Sequence, residues 1–163
     1  MIAALKLLSD VPWTLEIAGV VAPDMRRCRD FLKDPRVSVT GWLARDKLAA
    51  RMAAAEVFVF PSRAEGSARV VFEALAAGCY VITTLNAGSI VEDGVHGRLI
   101  PPGDPDQLAA AIRDAAAKRR GLAEIARRNA ALVREKYRQR DYGDKLVALY
   151  EDLLISKRPG EAA

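Results

Sequence analysis

The run Val57-Phe58-Val59-Phe60 is apolar at every position and closes on Pro61-Ser62, and it restricts the fold more than any other stretch of the chain. A strand with one wet face alternates apolar and polar residues, whereas unbroken apolar character suits a strand covered on both faces. Strands of that kind lie in parallel sheets with helices on either side. Elsewhere the sequence repeats the theme, with short β-branched runs separated by segments of helical period. Strands are predicted over 13–19, 37–41, 56–60, 80–84 and 97–100. Helices are predicted over 24–32, 45–54, 68–77, 105–119, 122–136 and 140–156. Ile2 to Leu8 reads as the end of a further helix, closing near Asp10-Val11-Pro12.

This is α/β alternation with punctuation to match. Gly78 follows the helix over 68–77 where a left-handed C′ residue belongs. Asp104 precedes Pro105 and stands three before Gln107, the pattern of a helix cap with proline at the first helical position. A doubly wound domain opens on a strand, yet this sequence enters its sheet from a helix. Either the first strand lies upstream or the sheet is shorter than usual. With 163 residues, one domain is expected over 1–163, with its core at about 13–119 and carboxyl-terminal helices at about 122–156.

Composition narrows the function classes. Apolar residues make up 51% and charged residues 28% with both signs mixed, which is the balance of a globular chain. No apolar run reaches the ~18–20 residues of a membrane span, and the amino terminus has no signal-peptide pattern, so the expected location is the cytoplasm. Cys28 and Cys79 form no C-x-x-C and are expected free. Net charge is +4, with basic residues clustered between Arg113 and Arg140. A basic surface can recruit nucleic acid, anionic lipid or a phosphorylated small molecule, but a solvated helical face explains the cluster better. No aromatic residues interleave with it to stack bases, so nucleic acid is not an expected partner, while peripheral membrane association of the full protein stays open.

The chemistry concentrates after Phe60. The turn Glu65-Gly66-Ser67-Ala68 holds only small residues once past the glutamate, and it leads into the helix that carries Arg69, Val70 and Glu73. Ligands of open α/β sheets bind beyond the carboxyl ends of the strands, where backbone N–H groups at a helix N-terminus can cradle phosphate. Glu73, about one turn into that helix, is placed to accept hydrogen bonds from a ribose diol, and Glu65 to meet a sugar on the other side. An ionised carboxylate accepts charge-assisted bonds worth ~1.5–3 kcal/mol each. Taken singly, Glu65 reads as a helix-start acid and Glu73 as a solvent-facing residue.

The pair is more informative in context. Glu65, seven residues and Glu73, after an apolar strand ending Pro61-Ser62, resemble the signature of the retaining group 1 glycosyltransferases of GT-B fold, in their carboxyl-terminal nucleotide-sugar-binding domain. Glu73-Ala74-Leu75-Ala76-Ala77-Gly78 matches the motif that follows there. The likeness continues through Val81-Ile82-Thr83-Thr84, Asn86-Ala87-Gly88-Ser89, Glu92-Asp93-Gly94-Val95-His96-Gly97 and Pro101-Pro102-Gly103-Asp104-Pro105. It implies a Rossmann-like sheet, half of a GT-B architecture, with its first strand expected upstream. It implies transfer of a sugar from a nucleoside diphosphate sugar with retained configuration, without a bound metal or cofactor. Glu65 would contact the transferred sugar as the catalytic-site carboxylate, and Glu73 the ribose. The amides of Gly66, Ser67, Ala68, Arg69 and Val70 would meet the sugar and diphosphate, and Trp42 and Leu43 would lie near the base. The family also carries an Arg and a Lys after the first strand, and an amino-terminal acceptor-binding domain. Both are expected outside this chain, which alone would transfer poorly or not at all; Arg63 or Arg69 would replace the pair only in part.

Other signals carry less. Asp104-Pro105-Asp106 has the D-x-D form of metal-dependent transferases but reads as a cap, and His96 reads as a loop residue. Ser67 lacks a nucleophile-elbow context. A non-catalytic nucleotide-binding or interaction module of the same fold is the alternative reading. An epimerase with the same two-domain fold would need a histidine and acid arrangement that the sequence does not show.

Overall fold

The computed structural model describes residues 1–20 and 28–156. Five strands, β1 (Leu15–Ala18), β2 (Val37–Gly41), β3 (Val57–Phe60), β4 (Tyr80–Thr84) and β5 (Gly97–Ile100), alternate with helices. The helices are α1 (Ile2–Lys6), α2 (Arg29–Leu32), α3 (Arg45–Ala54), α4 (Arg69–Ala76), α5 (Pro105–Ala117), α6 (Leu122–Lys136) and α7 (Gln139–Ser156). The predicted helix over 24–32 is described only from Arg29, its earlier residues lying outside the described ones. One stop and one start work as expected. Gly78 takes φ +86° after α4, and Asp104 Oδ1 accepts the Gln107 N–H at 2.9 Å at the start of α5.

Every strand pair is parallel, but the strands form two sheets rather than one. β1 pairs with β2, and β3, β4 and β5 pair in that order, with no ladder joining β1 to β3 among the described residues. Burial follows from this division. All five residues of β4 are buried, whereas all four of β3, apolar on both faces, are only half-buried. β4 has a strand on each side, and β3 has one edge unpaired.

Alternate residues of β4 feed two cores. Tyr80 and Ile82 join Leu8, Ile100 and Leu108 on the face covered by α1 and α5. Cys79 and Val81 join Val71, Leu75 and Met52 on the face covered by α4 and α3. Helix α6 packs behind α4, and its fully buried Asn129 donates from Nδ2 to Cys79 O at 2.8 Å and to His96 O at 2.9 Å. One side chain thereby ties the entry of β4 to the entry of β5. Cys79 and Cys28 are free; Cys79 is buried, Cys28 half-buried, and burial pushes the Cys79 thiol up to about 11. Among the described residues no helix is long and apolar enough to cross a membrane.

Candidate functional site

Parallel pairing puts the carboxyl ends of β3 and β4 at one edge, and the loop from Pro61 to Ala68 is held there by β4. Two buried threonines at the end of that strand begin the work. Thr83 Oγ1 donates to Phe60 O at 2.8 Å, and Thr84 Oγ1 donates to Ser62 O at 2.7 Å. The next turn of chain continues the stitching. Asn86 Nδ2 donates to Arg63 O at 2.8 Å, Glu65 N–H donates to Asn86 O at 2.8 Å, and Ala68 N–H donates to Ala87 O at 3.0 Å. Gly88, at φ +56°, comes so close that a Cβ there would sit 2.2 Å from Gly66 O. Only glycine meets both the backbone angle and the space.

Glu65 lies exposed in this pinned loop, its Oε1 3.3 Å from Ser62 Oγ. Helix α4 then starts after Ala68 with no side-chain cap; Ala68 N–H donates to Ala87 O and Val71 N–H to Ala68 O, and the amides of Arg69 and Val70 lie at the start of the helix, where no intrahelical acceptor precedes them. The helix buries Val71, Ala74 and Leu75 and turns Glu73 outward, half-buried. Glu73 Oε1 takes the Arg69 Nε at 3.2 Å and lies 3.8 Å from an Arg45 terminal nitrogen. Arg45 opens α3, just beyond the carboxyl end of β2, so this contact joins the two half-sheets across the crevice.

The structure therefore brings Glu65, Gly66, Ser67, Ala68, Arg69, Val70 and Glu73 together around one helix start. Trp42 and Leu43 follow Gly41, which takes φ +68°, on the turn before α3; Trp42 is exposed and Leu43 half-buried. Arg63 contributes its backbone carbonyl to the stitching, and its side chain is exposed. His96 is buried, with Nδ1 accepting the Glu92 N–H at 3.1 Å, and burial lowers its pKa. It is part of the β5 turn. Sequence reasoning missed Thr83, Thr84, Asn86 and Arg45. A threonine pair ending a buried apolar strand was a usable signal for the first two; Arg45 had none, since its role appears only in three dimensions.

A family model described as glycosyl transferases group 1 matches residues 1–118. The chain belongs to that family. It is 33% identical over 122 residues to an MMP alpha-(1->4)-mannosyltransferase of Mycolicibacterium hassiacum, which covers 71% of this chain and 29% of that protein. Over 85 residues it is 42% identical to a D-inositol 3-phosphate glycosyltransferase of Geodermatophilus obscurus, with 51% and 19% covered. Among solved structures, sucrose-phosphate synthase from Thermosynechococcus elongatus aligns with TM-score 0.85 at 25% identity, over 96% of this chain and 42% of that one. The carboxyl-terminal domain of a group 1 glycosyl transferase from Francisella tularensis aligns with TM-score 0.73 at 25% identity, over 84% and 76%. The group 1 transferase chain thus spans about a third or less of these curated relatives, and its α/β fold corresponds to part of a GT-B enzyme.

Proposed function

We propose that this chain is the donor-binding, carboxyl-terminal half of a retaining glycosyltransferase that uses a nucleoside diphosphate sugar. One observation carries the reading: Glu65 and Glu73 stand on either side of the start of α4, after a loop whose backbone is hydrogen-bonded at four positions to Thr84, Asn86 and Ala87. Glu73 accepts the ribose diol, the amides of Gly66, Ser67, Arg69 and Val70 take the diphosphate while that of Ala68 is engaged by Ala87 O, and Glu65 meets the sugar that is transferred. Trp42 and Leu43 border the base. Donors fixed before reaction stabilise charge on the departing diphosphate without having to reorganise, and transfer without a bound metal is part of this reading.

Further support comes from two sides. Anabaena HepE, similar in fold with TM-score 0.81 at 21% identity, has been solved with UDP-glucose. Helix α7 keeps Tyr142, Leu146, Leu149 and Tyr150 exposed at helical spacing, an apolar stripe suited to contact with an acceptor-binding domain. One more parallel strand between β1 and β3 would complete the doubly wound order. On this reading the chain alone binds donor and turns over little or none.

Calorimetric titration with UDP, GDP and their sugars tests the assignment. Binding of one nucleotide is expected, with Glu73→Ala weakening it roughly tenfold or more through loss of the ribose bonds. Glu65→Ala is expected to weaken the nucleotide sugar and spare the free nucleotide. If no nucleotide binds, or if Glu73→Ala binds as well as the parent, the reading is wrong.

A further inference from the structure

Two cations meet one anion at the crevice. Arg69 from α4 and Arg45 from α3 both approach Oε1 of Glu73, at 3.2 and 3.8 Å. Neither pairs with another carboxylate within 4.0 Å among the described residues, and Asp46, which follows Arg45, pairs with neither. The cluster therefore carries one positive charge more than it neutralises. Both guanidiniums are well exposed, with side-chain accessibilities of 74% for Arg45 and 72% for Arg69. Exposed ion pairs of this kind add little to folding stability, so stability does not account for the arrangement. A guanidinium held loosely by a shared carboxylate is free to turn to a better anion, and its planar fork suits phosphate oxygens.

The two arginines are not equivalent. Arg69 belongs to the stretch between Glu65 and Glu73. Arg45 comes from the other half-sheet, three residues after Trp42, and among the described residues it makes the ion pair between the β2 side of the crevice and α4. Resting on the donor reading above, we infer that Arg45 is a second anion ligand of that site. In the free chain it leans on Glu73. When the ribose hydroxyls occupy Glu73, Arg45 turns to the diphosphate, so that phosphate binding draws the β2 side toward α4. Arg45 then discriminates a nucleoside diphosphate from its nucleoside, whereas Glu73 serves both.

The test compares one nucleoside diphosphate, UDP or GDP, whichever binds tighter, with its parent nucleoside. The proteins are the unmodified chain, Arg45→Ala, and Lys47→Ala as an exposed cation on the same helix. Expected for Arg45→Ala is a loss of roughly tenfold for the diphosphate, the worth of one charge-assisted contact, and little change for the nucleoside. Lys47→Ala should bind both as the parent does. The salt dependence of diphosphate binding should also become shallower in Arg45→Ala. Equal losses for both ligands, an unchanged diphosphate affinity, or an equal loss in Lys47→Ala would each overturn the role of Arg45 while leaving the donor reading intact. Failure of the unmodified chain to bind either diphosphate overturns the donor reading and this inference together.

Discussion

In the β3-β4-β5 sheet, β4 has all five residues buried, lies between two partners and is covered by helices on both faces. In the β1-β2 sheet, burial alternates along β1, and Val39 of β2 is 42% exposed. Both sheets are parallel and both present loops at the crevice, yet only the first has a strand paired on each side. The difference teaches where the site gets its rigidity. The loop carrying Glu65 and the start of α4 is fastened to the more deeply buried strand, so its amides are held in place at little extra conformational cost. The turn with Trp42 rests on the more exposed sheet and joins the site through the Arg45 contact.

Glycine substitutions should break the comparison most sharply. Gly97 in β5 lies against β4, where an added Cβ would fall 1.8 Å from Val81 O. Gly41 at the end of β2 has open space around it and only a positive φ to restrict it. Gly97→Ala is expected to cost about 3 kcal/mol, because backbone must move, and Gly41→Ala about 1 kcal/mol from the left-handed angle alone. Urea unfolding of the two variants checks this. Equal costs would mean that the β4–β5 backbone yields to the added Cβ as easily as Gly41 yields its angle.

A smaller contrast comes from the side chains that tie each sheet. Asn129 is fully buried and holds two carbonyls, while its own Oδ1 finds no donor among the described residues. In the other half, the exposed Arg36 lies 3.9 Å over the half-buried Trp13 ring and forms a fork with Asp34. Asn129→Leu should cost about 2 kcal/mol by stranding buried carbonyls. Arg36→Ala should cost about 0.5–1 kcal/mol, the worth of an exposed cation–π contact. Should Arg36→Ala prove the more damaging, the β1-β2 half carries more of the fold than its burial indicates.

Much of the fold was legible in the sequence, because strand and helix periods are local properties. Val37–Gly41, Tyr80–Thr84 and Gly97–Ile100 read correctly from β-branched runs, and Arg45–Ala54 and Leu122–Lys136 from helical spacing. The division into two sheets was not legible, since pairing depends on which edges meet and no period records it. The placement of Glu65 and Glu73 around α4 followed from spacing and from the family resemblance. Asn86 looked like any polar turn residue until its bonds to Arg63 and Glu65 were in view. His96 was read as a loop residue and lies in the turn before β5; its burial was not legible from its neighbours in sequence.

The smallest expected effect is also the most selective. Burial is the largest influence on His96 and lowers its pKa from the ordinary 6.5; Glu92 opposes this and Arg128 adds to it. The unfolded chain therefore takes up the proton at higher pH than the folded chain does, and stability rises with pH across that interval. The contribution of the neutral ring is full above about pH 6.5 and is lost as pH falls below it, because a protonated Nδ1 cannot accept the Glu92 N–H. Asp34, just before β2, responds in the same direction but at far lower pH. The hydrogen bonds of the Arg36 side chain and backbone lower its carboxyl from 3.8 to about 2, so its contribution persists above 3.8 and disappears only as pH falls through about 2. Between about pH 7.5 and about pH 5 the chain should lose stability through His96 alone of these two groups. Hydrogen exchange should show Gly97–Ile100 losing protection while Leu15–Ala18 and Val37–Gly41 keep theirs. His96→Gln should start less stable and vary less over the same interval. If the parent's urea midpoint stays flat from about pH 7.5 to about pH 5, or His96→Gln falls as steeply, the histidine does not couple proton uptake to the β4–β5 side.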